Sequence, residues 1–213
     1  MLFRVGGAGA SHTIADDNRT PRSPLPAIFD PVAARARLVE LVRERAFRDG
    51  LDITLASGKR STFYINGKAI TLHPEGLWLM ARLMLEQLRG LPDVTAVGGL
   101  TLGADPMAAA ICALSHETGQ HLEAFLVRKE AKGHGTGSRI EGTLQRGQKV
   151  AILEDTVTTG GSARKAIDAV REAGAEPVVV LALADREDPD AEAFRAEFDV
   201  RSLVKLSELR GRG

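Results

Sequence analysis

Long apolar runs are missing from this 213-residue sequence. No stretch reaches the roughly 18 consecutive apolar residues needed to cross a bilayer, so no membrane association is expected. The N-terminus lacks the charged start, apolar block and small-residue cleavage site of a secretory leader. Cysteine is nearly absent. Cys112 stands alone, which excludes an internal disulfide and a thiolate metal cluster and fits a cytoplasmic protein. Net charge is missing too: 28 lysines and arginines balance 28 aspartates and glutamates. A chain of zero formal charge has no global attraction to nucleic acid or to a membrane surface, so neither is expected as a partner. Any anion-binding surface must therefore be local. Finally, no G-x-x-x-x-G-K-[ST] loop occurs, which removes the commonest nucleoside-triphosphate cradle.

What is present suits one soluble folded unit. Apolar residues make up 44% of the chain, and its length allows a sizeable core. Residues 1–26 are small, polar and aperiodic and read as a disordered N-terminal extension, leaving residues 27–213 as a single domain. Asp30 and Pro31 predict a helix start. Leu38, Leu41, Val42 and Ala46 continue it, and Gly50 suits its C-terminal cap. The segment 51–66 reads as a β-hairpin turning at Ser57 and Gly58. From residue 74 onward helices and strands alternate, with strands expected at 94–99, 122–128, 149–155 and 177–186. The glycine-rich stretch 129–140 is expected to be irregular. A helix near 190–197 and a short strand follow. The strands are near-continuous apolar runs, as when both faces are covered. The fold class is therefore α/β, a mostly parallel central sheet flanked by helices, with a core over roughly residues 74–200.

Ligands bind such sheets beyond the C-terminal ends of the strands. Four ends matter here: Gly98 to Thr101, Arg128 and Lys129, Glu154 and Asp155, and Asp185 and Arg186. The third is the most informative. "VAILEDTVTTGGSA" (150–163) runs from a strand through two acids into a hydroxyl- and glycine-rich loop before a helix. Thr158, Thr159, Gly160, Gly161 and Ser162 stand where backbone N–H groups are unpaired and the helix dipole favours an anion. Carboxylates repel phosphate but accept hydrogen bonds from vicinal hydroxyls. The pattern points to a sugar phosphate, its phosphate in the loop and its hydroxyls on Glu154 and Asp155. The plainer reading is a capped helix after an ordinary strand, with solvated acids.

This stretch resembles the 5-phosphoribosyl 1-diphosphate (PRPP) motif of the type I phosphoribosyltransferases, with Glu154 where two aspartates are commoner. The resemblance implies PRPP contacts from Glu154, Asp155, Thr156, Val157, Thr158, Thr159, Gly160, Gly161 and Ser162. "VRKEAKGHGTG" (127–137) is similar to the catalytic loop of the orotate phosphoribosyltransferases. Its Arg128, Lys129, Lys132 and His134 offer cations suited to a diphosphate leaving group whose charge grows as the glycosidic bond breaks. The resemblance implies a homodimer with shared sites. Arg128, Lys132 and His134 would serve the partner's site and Lys129 its own, and the catalytic set would be Lys132, His134, Asp155 and Arg128. A solvated basic loop is the alternative.

Arg186, in "ALADRED" (182–188), offers a planar fork for a carboxylate. The resemblance places the orotate carboxylate there, against the alternative of a surface salt bridge to Glu187 or Asp188. "TLASGKRSTFYIN" (54–66) resembles the small N-terminal hood of these enzymes, which would span roughly 27–73 with C-terminal residues added. Tyr64, Ile65 and Thr158 would meet the pyrimidine. Ala56 stands where some relatives have a lysine, with Lys59 or Arg60 as candidate replacements. "GGLTLGADPMAAAI" (98–111) is similar to the diphosphate loop, Asp105 being the expected cap of the helix that follows and Gly103 standing where some relatives have a lysine. His73, His116 and His121 have no ligand spacing, so no metal ligand is expected from protein side chains. The resemblance implies Mg²⁺ held mainly by PRPP. It implies transfer of the phosphoribosyl group from PRPP to orotate. A phosphoribosyltransferase for another base and a non-catalytic regulator of the same fold remain alternatives.

Overall fold

The computed structural model describes residues 29–54, 60–130 and 139–211. The expected extension over 1–26, and with it Ala56, Lys59, Lys132 and His134, lies outside the described residues.

The chain starts as its caps dictate. Asp30 accepts hydrogen bonds from the N–H groups of Val32 and Ala33, and Pro31 takes the first position of α1 (Pro31–Arg45). The helix does not run on to Gly50. It ends at Arg45, because β1 (Phe47–Arg48) is drawn into antiparallel pairing with β4 (Tyr64–Ile65). Phe47 and Ile65, opposite each other in that pair, are both buried, and their packing outweighs one further helical turn. Inside this pair, β2 (Ile53–Thr54) faces β3 (Arg60–Ser61). The expected single hairpin is thus two nested ladders. A short helix, α2 (Lys68–Thr71), follows and leads into α3 (Pro74–Leu88), capped by His73.

The central sheet comprises β5 (Val94–Leu100), β6 (Glu123–Val127), β7 (Ile140–Gly142), β8 (Lys149–Val157), β9 (Glu176–Asp185) and β10 (Val200–Lys205). Their spatial order is β10-β9-β8-β5-β6-β7, parallel throughout except for β7, which pairs antiparallel on the edge. The expected irregular stretch therefore ends one residue early, since Ile140 is already in a strand. Connections run through α4 (Asp105–Glu117), α5 (Gly161–Glu172), and a 3₁₀ turn (Pro189–Ala191) with α6 (Glu192–Glu197), and α7 (Leu206–Leu209) closes the chain.

Period-two alternation explains the continuous apolar strands. Along β8, Ala151 and Leu153 join the core beneath α1, α3 and α4, while Val150 and Ile152 pack under α5 with Phe194 of α6. A strand buried on both faces has no polar side to show. The C-terminal turn is tied back to the N-terminal helix: Arg35 meets Glu208 at 2.7 Å and Arg43 donates to the Glu208 carbonyl. Arg210 reaches Asp49 at 2.9 Å and stacks over Phe63. These contacts hold the β1–β4 segment over one end of the sheet.

Candidate active site

The two acids do not end their strand. β8 continues through them to Val157, with Glu154 opposite Ala182 and Val157 opposite Asp185 on β9. Only at Thr158 does the chain leave the sheet. Glu154 and Asp155 are thereby fixed on rigid backbone in the middle of the sheet rather than on a loop. Val157 turns its side chain into a cluster with Ala182 and Ala191, so a ligand can meet only its backbone.

The loop after β8 is shaped by one glycine. Gly160 caps α5 with φ of +80°, a region that side chains enter at a cost. A Cβ there would also sit 2.3 Å from the Phe194 ring. Both constraints press the loop flat against α6, presenting the first-turn N–H groups of α5 to solvent. Gly160→Ala should lower the unfolding free energy by about 2–4 kcal/mol. Gly161→Ala, whose methyl would find its nearest neighbour at 3.4 Å, should be close to neutral. Urea unfolding of the two variants side by side checks this.

A cleft of about 390 Å³ opens at this end of the sheet, lined by Tyr64, Ile65, Asn66, Gly67, Lys68, Glu154, Asp155, Thr156, Thr158, Thr159, Ser162 and Arg186. Two glycines bring separate segments onto Asp155. A Cβ on Gly67 would lie 2.9 Å from the Asp155 Cβ, and one on Gly103 would lie 3.2 Å from its carboxyl carbon. The segment before α2 and the turn after β5 therefore both close on the same carboxylate. Lys68 pairs with it, Nζ to Oδ2 at 3.2 Å.

Arg186 is not a surface salt bridge. It is 5% exposed, and one Nη donates to the Ser61 hydroxyl at 3.1 Å while the guanidinium stacks 4.4 Å from the Phe63 ring centroid. Its Nε is buried without a hydrogen-bond partner among the described residues. Burial pulls its pKa below the ordinary arginine value, with Asp188 opposing. A buried cation with no carboxylate in ion-pairing contact among the described residues is costly, and here it lines a cleft. Thr156 Oγ1, on the same wall, is likewise buried and unpartnered.

Nine of the expected residues thus line one cavity: Tyr64, Ile65, Glu154, Asp155, Thr156, Thr158, Thr159, Ser162 and Arg186. Gly160 and Gly161 line an adjoining recess with Glu154, Thr156, Val157, Thr158, Thr159 and Ser162. Tyr64 is exposed whereas Ile65 is buried, so Tyr64 is the better placed of the two. Arg128 and Lys129 do not line the cleft; Arg128 binds Glu141 at 3.1 Å. Asp105 is not the helix cap either. Ala104 holds that position without a side-chain bond, and Asp105 opens the helix with Oδ1 buried and unpartnered among the described residues. Burial raises its pKa. Sequence reasoning missed Asn66, Gly67 and Lys68. Their one local signal is that they follow Tyr64 and Ile65 directly.

The acid pair is electrostatically loaded. Burial, reinforced by the charge of Asp155, pushes the Glu154 carboxyl up to about 8. In the folded protein Glu154 then holds a proton between pH 4.5 and 8 that the unfolded chain releases, so its contribution to stability falls as pH rises through that window. Glu154→Gln, which mimics the protonated form, should match the parent protein in thermal midpoint at pH 5 and exceed it at pH 9. Melting curves at the two pH values test this; a variant less stable at pH 9 than at pH 5, in step with the parent, would refute it.

Comparisons with known proteins converge on one family. No protein-family model matches the chain. Among curated proteins, the orotate phosphoribosyltransferase of Thermosynechococcus vestitus is 49% identical over 177 residues, covering 82% of this chain and 92% of its own. That of Rhodopseudomonas palustris is 48% identical over 185 residues, covering 84% and 98%. Among solved structures, Mycobacterium tuberculosis orotate phosphoribosyltransferase in complex with Fe(III) dicitrate superposes with a TM-score of 0.71 at 44% identity, over 83% of this chain and 98% of that one. The same enzyme in complex with PRPP gives 0.67 at 40% identity, over 83% and 99%. Adenine phosphoribosyltransferase from Leishmania donovani, 15% identical with a TM-score of 0.57, shares the fold alone. Identity of this extent, over nearly the full length of the relatives, places the chain in the orotate phosphoribosyltransferase family.

Proposed function

We infer that the cleft performs the family's reaction, transfer of the 5-phosphoribosyl group of PRPP to orotate in pyrimidine biosynthesis. Orotate N1 gives up its proton to solvent and bonds to C1 of the ribose as the C1–O bond breaks and its electron pair leaves with diphosphate, giving orotidine 5′-monophosphate. The observation that carries this reading is Arg186, a buried guanidinium lining the cleft with Nε unpartnered among the described residues. A planar pyrimidine bearing a carboxylate satisfies it, and the exposed Tyr64 ring supplies a face for the base.

The other residues divide the second substrate between them. Thr158, Thr159 and Ser162, with the backbone of Gly160 and Gly161, take the 5-phosphate at the start of α5. Asp155 and Glu154 take the ribose hydroxyls and lie nearest the ribosyl cation that develops at C1. The chain does little covalent work: it aligns two substrates and stabilises charge. The two acids offer oxygen ligands of the kind Mg²⁺ takes, although the Lys68 ammonium already holds Asp155. Two carboxylates, one already ion-paired, do not make a cage, so such an ion would be held mainly through PRPP. Bound with PRPP, the ion would supply positive charge beside the leaving diphosphate.

Arg128 stands outside the cleft. Its position outside its own cleft suits service of a second subunit's site, with Lys132 and His134, in a homodimer; Lys129 is outside the cleft as well, and its service to its own site rests on the resemblance alone. The N-terminal segment through β4, tied to α7, is the hood that covers the base, on a single domain over 27–213. No described helix is long and apolar enough to cross a membrane, and a cytoplasmic setting agrees with the family's metabolic role. The test is to supply PRPP and Mg²⁺ with either orotate or adenine and to follow both bases. Consumption of orotate alone is expected; turnover of adenine instead would overturn the substrate assignment.

A further inference from the structure

We propose that Lys68 receives the diphosphate of PRPP, exchanging its ammonium from Asp155 to a phosphoryl oxygen when the ribose hydroxyls take that carboxylate; this rests on the PRPP reading above. Three observations carry it. First, Lys68 is one of two cations among the described residues that line the cleft. The other, Arg186, is committed to the Ser61 and Phe63 side. The turn after β5, Thr101 to Ala104, and the loop from Thr158 to Ser162 carry no cationic side chain. Second, Lys68 is held over the acid by backbone. Gly67 is pressed against Asp155 and Thr156 so closely that a Cβ would come within 2.9 and 3.0 Å of them. Third, the pair is unequal. The Lys68 side chain is 51% exposed and that of Asp155 is 16% exposed, so the lysine can leave while the carboxylate stays. An ion pair with so exposed a member is weakly held.

The chemistry of PRPP supplies the direction. Its diphosphate hangs from C1, next to the C2 hydroxyl. If Asp155 accepts ribose hydroxyls, a cation within one hydrogen bond of Asp155 lies beside that diphosphate. The Gly103 turn closes on Asp155 from another segment and contributes backbone there but no charge. Lys68 fills that electrostatic need from α2.

The test separates a diphosphate contact from a residue that merely holds Asp155. Lys68→Met keeps the apolar stem and removes the charge; Lys68→Arg restores a cation. For Lys68→Met we expect the KM for PRPP and the inhibition constant of inorganic diphosphate to rise about tenfold or more together. Binding of ribose 5-phosphate should be unchanged or tighter, the KM for orotate should stay near the parent value, and Lys68→Arg should recover most of the loss. Unchanged inhibition by diphosphate, or ribose 5-phosphate binding weakened in step with PRPP, would overturn the proposal. A parent protein indifferent to PRPP overturns the functional reading and this proposal together. A parent that turns PRPP over beside an unaltered Lys68→Met variant overturns this proposal alone.

Discussion

Replacing Arg186 by alanine should raise the KM for orotate by roughly two to three orders of magnitude while leaving PRPP binding nearly intact. The side chain is buried, hydrogen-bonded only to Ser61 among the described residues, and stacked on Phe63. Truncating one partner of a buried, hydrogen-bonded charge pair costs about 2–5 kcal/mol, and tenfold in affinity corresponds to about 1.4 kcal/mol. Arg186→Lys should rescue little, since an ammonium cannot present two parallel donors or stack on Phe63. Uracil, which is orotate without the carboxylate, supplies the control. The parent should prefer orotate over uracil strongly, and the alanine variant should lose most of that preference by losing orotate, not by gaining uracil. Steady-state kinetics with both bases measure this. An alanine variant that kept the preference would place the carboxylate elsewhere.

Asp155→Asn should weaken PRPP by about one to two orders of magnitude, at about 1.5–3 kcal/mol for a hydrogen bond to a charged group, and leave orotate binding alone. Asparagine preserves the volume between Gly67 and Gly103, where a larger group has no room, so the fold should survive. It replaces an acceptor-only carboxylate with a group half of whose capacity is donor, which cannot serve two ribose hydroxyls equally. It also frees Lys68. Calorimetric titration with PRPP and separately with orotate checks the split. Equal losses for both ligands would mean a general disturbance of the cleft rather than a ribose site.

The fold was legible in the sequence where one local signal sufficed. The strands around Val97, Leu153 and Leu181 could be read because burial on both faces leaves continuous apolar runs. The start of α1 could be read because Asp30 and Pro31 specify it within three residues. What was illegible depended on distant partners. Nothing near Phe47 says that Ile65 will pair with it and cut α1 short. Nothing in the stretch around Glu154 says that β9 will carry its strand two residues past the acids to Val157.

The site divides in the same way. The acids and the threonine–glycine loop form one contiguous stretch, and chemistry alone suggested a ribose phosphate. Arg186 could be singled out by its place at a strand end, but its meaning came from burial, which excluded a surface ion pair. Lys68 is 87 residues from Asp155 in sequence. Its role follows from two glycines small enough to let three segments meet on one carboxylate.

A crystal structure of the protein with orotidine 5′-monophosphate tests the central claim, one cleft with a carboxylate end and a ribose-phosphate end. The account predicts the base carboxylate on the Arg186 guanidinium, the ribose hydroxyls on Asp155 and the phosphate against the backbone from Thr158 to Ser162. A nucleotide bound with its carboxylate away from Arg186, or with its phosphate outside that loop, would contradict it.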